Sequence, residues 1–157
     1  YCGVKFSEKN LSKFATYFER TGQEECIYSV FQKDSMEKFI GYVGFHRELN
    51  GDYEIEFYIA KNHRRKGYCE EACKAVIKQI FGEGLSVDHN QITVDRLYAT
   101  TLAENTPTVE LLKKIGFHGD NPEDGPILVM QGFLDEDKEI NICPVIKMIY
   151  EEKSMCT

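Results

Sequence analysis

The stretch 53–81 constrains the fold more than any other part of the chain, because in it an apolar strand passes through a short basic turn into a long amphipathic helix. The turn reads Arg64-Arg65-Lys66-Gly67-Tyr68-Cys69. Backbone N–H groups in the first turn of a helix have no intrahelical partner and lie at the positive end of the helix dipole. Because Gly67 leaves room for a ligand, the pattern predicts an anion site, most naturally for a phosphate. A solvated basic turn before a surface helix is the alternative.

Composition narrows the classes of partner. The chain has 157 residues, of which 42% are hydrophobic, and this is enough for one core, so we expect a single domain over residues 1–157. The formal net charge of -7 disfavours nucleic acid and anionic membranes and favours a cationic or amine partner. No apolar run approaches the roughly 18 residues that span a bilayer, so we expect no membrane association.

The six cysteines are scattered, with no Cys-x-x-Cys pair and no companion histidine at the spacing of a metal site. We interpret them as reduced thiols of a cytoplasmic protein and predict no metal ligand. Cys69 and Cys73 are expected on a buried helix face. A catalytic thiol is an alternative, although no neighbouring residue marks one cysteine as activated. The chain begins at Tyr1 rather than at a methionine, which indicates a fragment or a processed form.

Hydrophobic periodicity and turn residues predict the remaining elements. Asn50 and Gly51 form the strongest hairpin signal of the chain. A helix between two strands usually makes them parallel neighbours, so strands 53–60 and 93–100 are expected to lie side by side. The predicted order is helix 7–21, antiparallel strands 25–32, 38–47 and 53–60, helix 69–81, a polar loop, strand 93–100, a helix that begins near Asn105 or Thr106 and ends at Gly116, and a hairpin of strands 127–134 and 140–150.

Two motifs within this order of elements resemble the GNAT superfamily of N-acetyltransferases. Arg64-x-x-Gly67-x-Cys69 is similar to the family's Arg/Gln-x-x-Gly-x-Gly/Ala pyrophosphate loop. The segment 105–117, with Asn105, Thr108 and the run Lys114-Ile115-Gly116-Phe117, is similar to the family's Asn-x-x-Ser/Ala...Lys-Leu-Gly-Phe segment. The resemblance covers about residues 7–150 and is closest to the branch that contains the ribosomal-protein alanine N-acetyltransferases.

The resemblance implies a mixed α+β fold, whose mostly antiparallel central sheet is flanked by helices and splays at one parallel strand pair. It implies acetyl-CoA as cosubstrate, with the pyrophosphate on the basic turn and the pantetheine arm in the splay. There the N–H of Ile59 would polarise the thioester carbonyl. Asn105 would contact the CoA arm, although a simple helix N-cap is the alternative for this residue. The predicted cofactor-binding residues are Phe57, Tyr58, Ile59, Arg64, Arg65, Lys66, Gly67, Tyr68, Cys69, Asn105 and Thr108.

Acetyl transfer requires an amine that has lost its proton, and a carboxylate acting directly or through water is the usual base. Glu54 and Glu56 lie on the strand that leads to the basic turn, and their spacing of two puts both on the same side of a regular strand. Glu54 is closest to the family's acidic position. The alternative is that both side chains simply face solvent on a half-exposed strand.

Three features depart from the family's pattern. Cys69 replaces the usual Gly or Ala of the pyrophosphate loop, and we expect the loop to tolerate this compact thiol. Leu112 occupies the position where many members carry a tyrosine that protonates the departing thiolate; Tyr98 and Thr100 are weak substitutes, and water is the other. The family's first strand and helix are not found before Tyr1.

The leading hypothesis is therefore an acetyl-CoA-dependent N-acetyltransferase, a monomer or homodimer acting on a protein N-terminus or on a small amine such as a polyamine or aminoglycoside. A second hypothesis is a CoA-binding module without catalysis, motivated by Leu112 and by the uncertain base. A third is a nucleic-acid or protein-interaction domain that uses 63–66 as a basic patch, which the acidic remainder of the chain disfavours.

Overall fold

The computed structural model describes residues 25–32, 35–48, 51–87, 90–119, 125–134 and 140–151. The helix predicted at 7–21 lies outside these residues. A single turn of 3-10 helix, Lys61–His63, precedes the first of the two described α-helices. The elements in chain order are β1 (Glu25–Gln32), β2 (Ser35–Arg47), β3 (Tyr53–Ile59), α1 (Tyr68–Glu83), β4 (Leu85–Val87), β5 (Asn90–Ile92), β6 (Arg96–Leu102), α2 (Thr106–Ile115), β7 (Ile127–Leu134) and β8 (Ile140–Glu151).

Six strands form one mixed sheet in the order β1-β2-β3-β6-β8-β7. Four of the five neighbouring pairs are antiparallel, and the pair of β3 with β6 is parallel. The helix α1 connects those two parallel strands, as a crossover between parallel neighbours requires. The predicted three-strand meander, parallel pair, terminal hairpin and α+β class are therefore confirmed.

The parallel pair separates soon after it begins. Tyr53 lies opposite Leu97 and Glu54 opposite Tyr98, and within the described part of the chain no further pairing joins β3 to β6. Both strands nevertheless stay paired with their outer neighbours, β3 with β2 as far as Ile59 and β6 with β8 as far as Leu102. The sheet is thus open along one line, between two strands that are each held on their other side.

One face of the sheet packs against the helices to form the core. The buried positions of α1 recur at helical spacing, and those of β3 alternate, because a helix repeats every 3.6 residues and a strand every two. Burying each large apolar side chain contributes roughly 1.5–3 kcal/mol. The core includes Val43, Phe45, Ile55, Cys73, Val76, Ile77, Ile80, Leu97, Leu112, Ile115, Phe117 and Met148. Gly116 (φ +120°) ends α2, as predicted, and Phe117 after it is 3% exposed.

Some predicted details of the elements were wrong. The polar loop after α1 contains a two-stranded sheet, in which β4 pairs with β5. The next strand begins at Arg96 rather than at Thr93, because residues 93–95 lie between β5 and β6 and belong to neither strand. The strand β2 starts at Ser35 rather than at 38, and α1 runs through Gly82 to Glu83. Neither described helix has the length and apolarity needed to cross a bilayer.

Candidate functional site

The basic turn between β3 and α1 has an irregular backbone that the sequence requires. Arg65 has φ +62° and Gly67 has φ +83°, so two of three consecutive residues adopt the left-handed region. Such turns point successive N–H groups into a shared concavity that suits an anion. A Cβ added at Gly67 would meet no atom within 4 Å, so the space beside this residue is open. The glycine is therefore needed for backbone conformation and for approach, and not for packing inside the protein.

The first turn of α1 leaves backbone donors available. Gly67 is the N-cap residue, and no side chain caps the helix. The first intrahelical bond runs from the N–H of Glu71 to the carbonyl of Gly67 at 3.0 Å. The preceding N–H groups of the helix therefore have no intrahelical acceptor. This geometry suits the predicted pyrophosphate contact, which remains a prediction.

The cations of the turn differ in what they contact. The Nε of Arg64 donates to the carbonyl of Ile59 at 2.7 Å, and its guanidinium carbon lies 5.5 Å from the centre of the Tyr58 ring. Arg64 thus braces the turn against the end of β3 in addition to contributing charge. Arg65 and Lys66 are exposed on the same turn. Together they keep the corner positive.

Cys69 occupies the loop position that is small in the family. Its side chain is half-buried and packs against the core, one helical turn before the fully buried Cys73. A hydrogen bond from the Cys73 thiol lowers the pKa of Cys69, and burial acts in the opposite direction. Because the thiol turns toward the core, it leaves the concavity of the turn clear. The predicted placement of Cys69 and Cys73 on a buried helix face is confirmed.

The edge of β3 presents backbone groups to the opening. The N–H of Ala60 donates to the carbonyl of Ile40 at 2.8 Å, so these residues form a hydrogen-bonded pair of the antiparallel ladder with β2. Since such pairs alternate along a ladder, Tyr58 also bonds toward β2, whereas Phe57 and Ile59 turn their N–H and C=O groups away from it. Phe57 and the N–H of Ile59 therefore offer the edge to which an extended, amide-containing ligand could add, whereas the Ile59 carbonyl already accepts from Arg64. The backbone of Tyr58 does not offer this edge.

Asn105 does not cap α2 with its side chain. It is the N-cap residue by position, but its Nδ2 donates to Thr101 Oγ1 at 3.2 Å instead of its own carboxamide oxygen bonding the helix. Thr101 is only 7% exposed and lies on β6, the strand at the other side of the opening. The N-cap alternative is therefore not what this side chain does. Thr108, also predicted to contact the cofactor, is half-buried one turn into α2.

One ion-pair network connects the two predicted motifs. Glu70, in the first turn of α1, lies 2.6 Å from the Nζ of Lys114 on α2 and 2.8 Å from the Nζ of Lys74. These hydrogen bonds, first that of Lys114 and then that of Lys74, lower the pKa of Glu70. An ion pair thus links the first turn of α1, next to the basic turn, to α2.

Glu54 lies where the opening begins, in the last residue pair that joins β3 to β6. Only 18% of its side-chain surface is exposed. Burial raises the pKa of its carboxyl above the ordinary value; a hydrogen bond with Thr100 and the charge of His46 lower it, and Glu48 raises it. The interpretation of Glu54 as a simple solvent-facing residue was therefore wrong. The Glu54 carboxyl, a group that can exchange a proton, therefore has little contact with bulk solvent.

Glu56 lies on the same sheet face as Glu54, as their spacing predicts. It pairs with Gly44 of β2, and its carboxyl covers that glycine, since a Cβ there would lie 3.1 Å from Glu56 Oε1. It is half-buried. Both predicted carboxylates thus belong to one face, and Glu54 lies at the point where the opening begins.

Sequence analysis missed His46 and Glu48, which contact Glu54 from β2 and from the turn after it. The signal was the hairpin at Asn50-Gly51, whose strand register sets His46 opposite Glu54. Leu112 is 1% exposed and belongs to the core, so that position does not face the opening. The Tyr98 hydroxyl oxygen accepts a hydrogen bond from Arg96 Nη1 at 3.3 Å.

A separate cavity of about 480 Å³ lies at the opposite end of the parallel pair from the basic turn. It is lined by the start of β3, by the turn before it and by the segment 92–96. Arg47, Asp52, Asp95 and Arg96 place charges of both signs in its wall. It is distinct from the opening between β3 and β6.

A sequence model of the acetyltransferase (GNAT) domain matches residues 3–118. The chain belongs to the GNAT acetyltransferase family. YnaD of Bacillus subtilis (strain 168), an uncharacterized N-acetyltransferase, is 28% identical over 112 residues, which are 71% of this chain and 59% of YnaD. The chain thus spans less than two thirds of that relative's length. The family predicted from the sequence is confirmed.

Solved structures agree on the fold. Ribosomal-protein-alanine N-acetyltransferase from Brucella melitensis matches with a TM-score of 0.60 and 14% identity, over 94% of this chain and 80% of that one. A mutant of spermidine N-acetyltransferase SpeG from Vibrio cholerae matches with a TM-score of 0.57 and 20% identity, over 92% and 75%. At these identities the likeness establishes the GNAT fold alone.

Proposed function

We propose that this chain is a single acetyl-CoA-dependent N-acetyltransferase domain that transfers the acetyl group directly to a primary amine. The opening between β3 and β6 carries the proposal. It combines an anion-binding turn at the end of β3, two backbone positions that face the gap, and a half-buried carboxylate where the gap begins. Few other functions need an anion site, an open backbone edge and a half-buried carboxylate along one strand.

The cofactor-binding part uses mainly backbone. Acetyl-CoA supplies an activated acetyl thioester. The N–H groups of the turn from Arg65 to Cys69 hold the pyrophosphate, and Arg65 and Lys66 offset its charge. The backbone edge at Phe57 pairs with an amide of the pantetheine arm, as an added strand would. An N–H on this edge, that of Ile59 by family analogy, donates to the thioester carbonyl and stabilises the charge that develops on its oxygen.

Glu54 removes the proton from the acceptor amine. Ile59 lies five residues beyond Glu54, roughly 17 Å along an extended strand, and Phe57 about 10 Å. We therefore propose that Glu54 acts through water. A raised pKa makes the carboxylate a stronger base, provided that the pH stays above that pKa. Activity should fall as the pH is lowered through it, at a higher pH than an ordinary glutamate would give.

The acceptor is a protein N-terminus or a small amine such as a polyamine or aminoglycoside. The net charge of -7 favours cationic amines over nucleic acid or an anionic membrane. The two structural neighbours are named for one acceptor of each kind, spermidine and a ribosomal-protein alanine. We propose a cytoplasmic monomer or homodimer.

A CoA-binding module without turnover is the second candidate, and the burial of Leu112 favours it. No hydroxyl at that position can protonate the departing thiolate. In the catalytic proposal, water takes this role. The two candidates predict the same affinity for acetyl-CoA and differ in turnover.

Two measurements on the purified chain test the proposal. Calorimetric titration with acetyl-CoA should show binding at one site, and thiol release should appear with at least one member of a panel of polyamines, aminoglycosides and N-terminal peptides. Binding without release from any acceptor would favour the module. Absence of acetyl-CoA binding would overturn both candidates.

A further inference from the structure

His46, Glu48 and Glu54 form a cluster of three titratable groups beside the opening. The His46 Nε2 lies 3.0 Å from Glu48 Oε1 and 3.8 Å from Glu54 Oε2. One ring nitrogen of His46 and one carboxylate oxygen of each glutamate all lie within 4.8 Å of one another. A single imidazole nitrogen therefore stands between two carboxylates.

The β2–β3 hairpin builds this cluster. Its register places His46 directly opposite Glu54. The connection then turns back on itself, since the N–H of Glu48 donates to the Asp52 carbonyl at 2.7 Å and the N–H of Gly51 donates to the Glu48 carbonyl at 2.9 Å. Glu48 is thus held at the base of the turn, within reach of the ring.

The three groups are exposed in a graded order. Side-chain exposure is 18% for Glu54, 26% for His46 and 44% for Glu48. The innermost group is the one that borders the opening, and the outermost is in contact with solvent. The free-energy cost of ionising a group falls with each step outward, because burial penalises the charged form.

Other elements add few charges to this neighbourhood. From β6, Thr100 hydrogen-bonds the Glu54 carboxyl and Tyr98 lies opposite it in the ladder. Arg96 and Lys147 reach the Tyr98 side chain, at 3.3 Å from its hydroxyl and 4.4 Å from its ring centre. Arg96 is also paired with Glu151. Among the described residues, His46 is the basic side chain that lies beside the Glu54 carboxylate, and it carries a charge when it is protonated.

We propose that His46 is a positioning residue, held by Glu48, that orients the Glu54 carboxylate and stabilises its charge for proton removal from the acceptor amine. The inference rests on the proposed function, in which Glu54 is the general base. His46 does not need to touch the amine. Its imidazolium favours the ionised form of Glu54, and Glu48 opposes this effect while fixing the ring.

The two partners should therefore act on activity in opposite directions. In His46→Gln the amide can still donate a hydrogen bond but carries no charge, so the acid limb of the kcat/KM profile should move to higher pH, by about half a pH unit. In Glu48→Gln a negative charge is lost and the acid limb should move to lower pH. Lys78→Gln, an exposed position on α1, removes a charge elsewhere and should leave the profile unchanged.

The experiment is the pH profile of thiol release for these variants, with His46→Asn as a second His46 variant and thermal unfolding as the check that each is folded. The carboxyl carbon of Glu54, followed by NMR in ¹³C-Glu-labelled protein, gives the same shifts without turnover. Opposite shifts in both readouts support the inference. If the wild type is active but neither its pH profile of thiol release nor the titration of Glu54 changes in His46→Gln and Glu48→Gln, this inference is overturned and the proposed function is not. A wild type that is inactive with every acceptor overturns the proposed function and this inference with it.

Discussion

The basic turn and the Glu54 cluster stabilise charge in two different ways. The turn uses backbone N–H groups, an exposed pair of cations and a left-handed glycine, all within six consecutive residues. The cluster uses the side chains of His46, Glu48 and Glu54, which come from β2, the turn after it and β3. Cofactor affinity should therefore respond mainly to backbone shape, and turnover mainly to charge and pH. Each of the following changes tests that separation.

Glu54→Gln should produce the largest effect. It keeps the shape of the side chain but removes the base, so turnover should fall by about 10²–10⁴-fold while the Kd for acetyl-CoA changes little. Thiol release and calorimetry measure the two quantities. Glu56→Gln is the matched control and should retain most of the activity, because the Glu56 carboxyl covers Gly44 of β2. Equal losses in both variants, or a Kd that rises with the fall in turnover, would contradict the separation.

Gly67→Glu should act on the other half of the site. A side chain at φ +83° strains the backbone, and a carboxylate would enter the space where we propose that the pyrophosphate binds. The Kd for acetyl-CoA should therefore rise at least about tenfold. Gly82→Glu makes the same substitution near the other end of α1, where a Cβ also meets no atom within 4 Å. It should leave the Kd unchanged. If both variants bind alike, the turn is only a solvated surface feature.

The same contrast explains what the sequence could predict. Strong periodicity and turn residues predicted the main strands, both described helices and the parallel pair, and the turn 64–69 was predictable because its residues are contiguous. The β4–β5 hairpin was missed because three-residue strands carry too little periodicity. The contacts of Glu54 with His46 and of Arg64 with Ile59 depend on strand register and on side-chain reach. Residues close in space but distant in sequence leave no local pattern.

Asn105→Ala should have an intermediate effect. It removes the donor to Thr101 and leaves a hydroxyl that is nearly buried without that partner, so we expect a loss of about 1 kcal/mol in the free energy of unfolding and a weaker affinity for acetyl-CoA. Urea unfolding and calorimetry measure the two. A double-mutant cycle with Thr101→Val identifies the cause, since Asn105→Ala should cost less once Thr101 has no hydroxyl. If Asn105→Ala loses as much free energy of unfolding in the Thr101→Val background, its effect comes from a role as helix N-cap and not from the hydrogen bond to Thr101.

Glu70→Gln should have the smallest effect, because its ion pairs with Lys114 and Lys74 are at the surface. A carboxyl with a lowered pKa in the fold stabilises the protein above its ordinary pKa, and this contribution is lost as the pH falls through the lowered value. The variant should therefore have a slightly lower Tm than the wild type at neutral pH, and the difference should shrink at acidic pH and in about 1 M salt, where screening is short-ranged. Lys114→Gln should behave in the same way, and Lys78→Gln should not. A Tm difference independent of pH and salt would mean that Glu70 joins the two motifs by packing and not by charge.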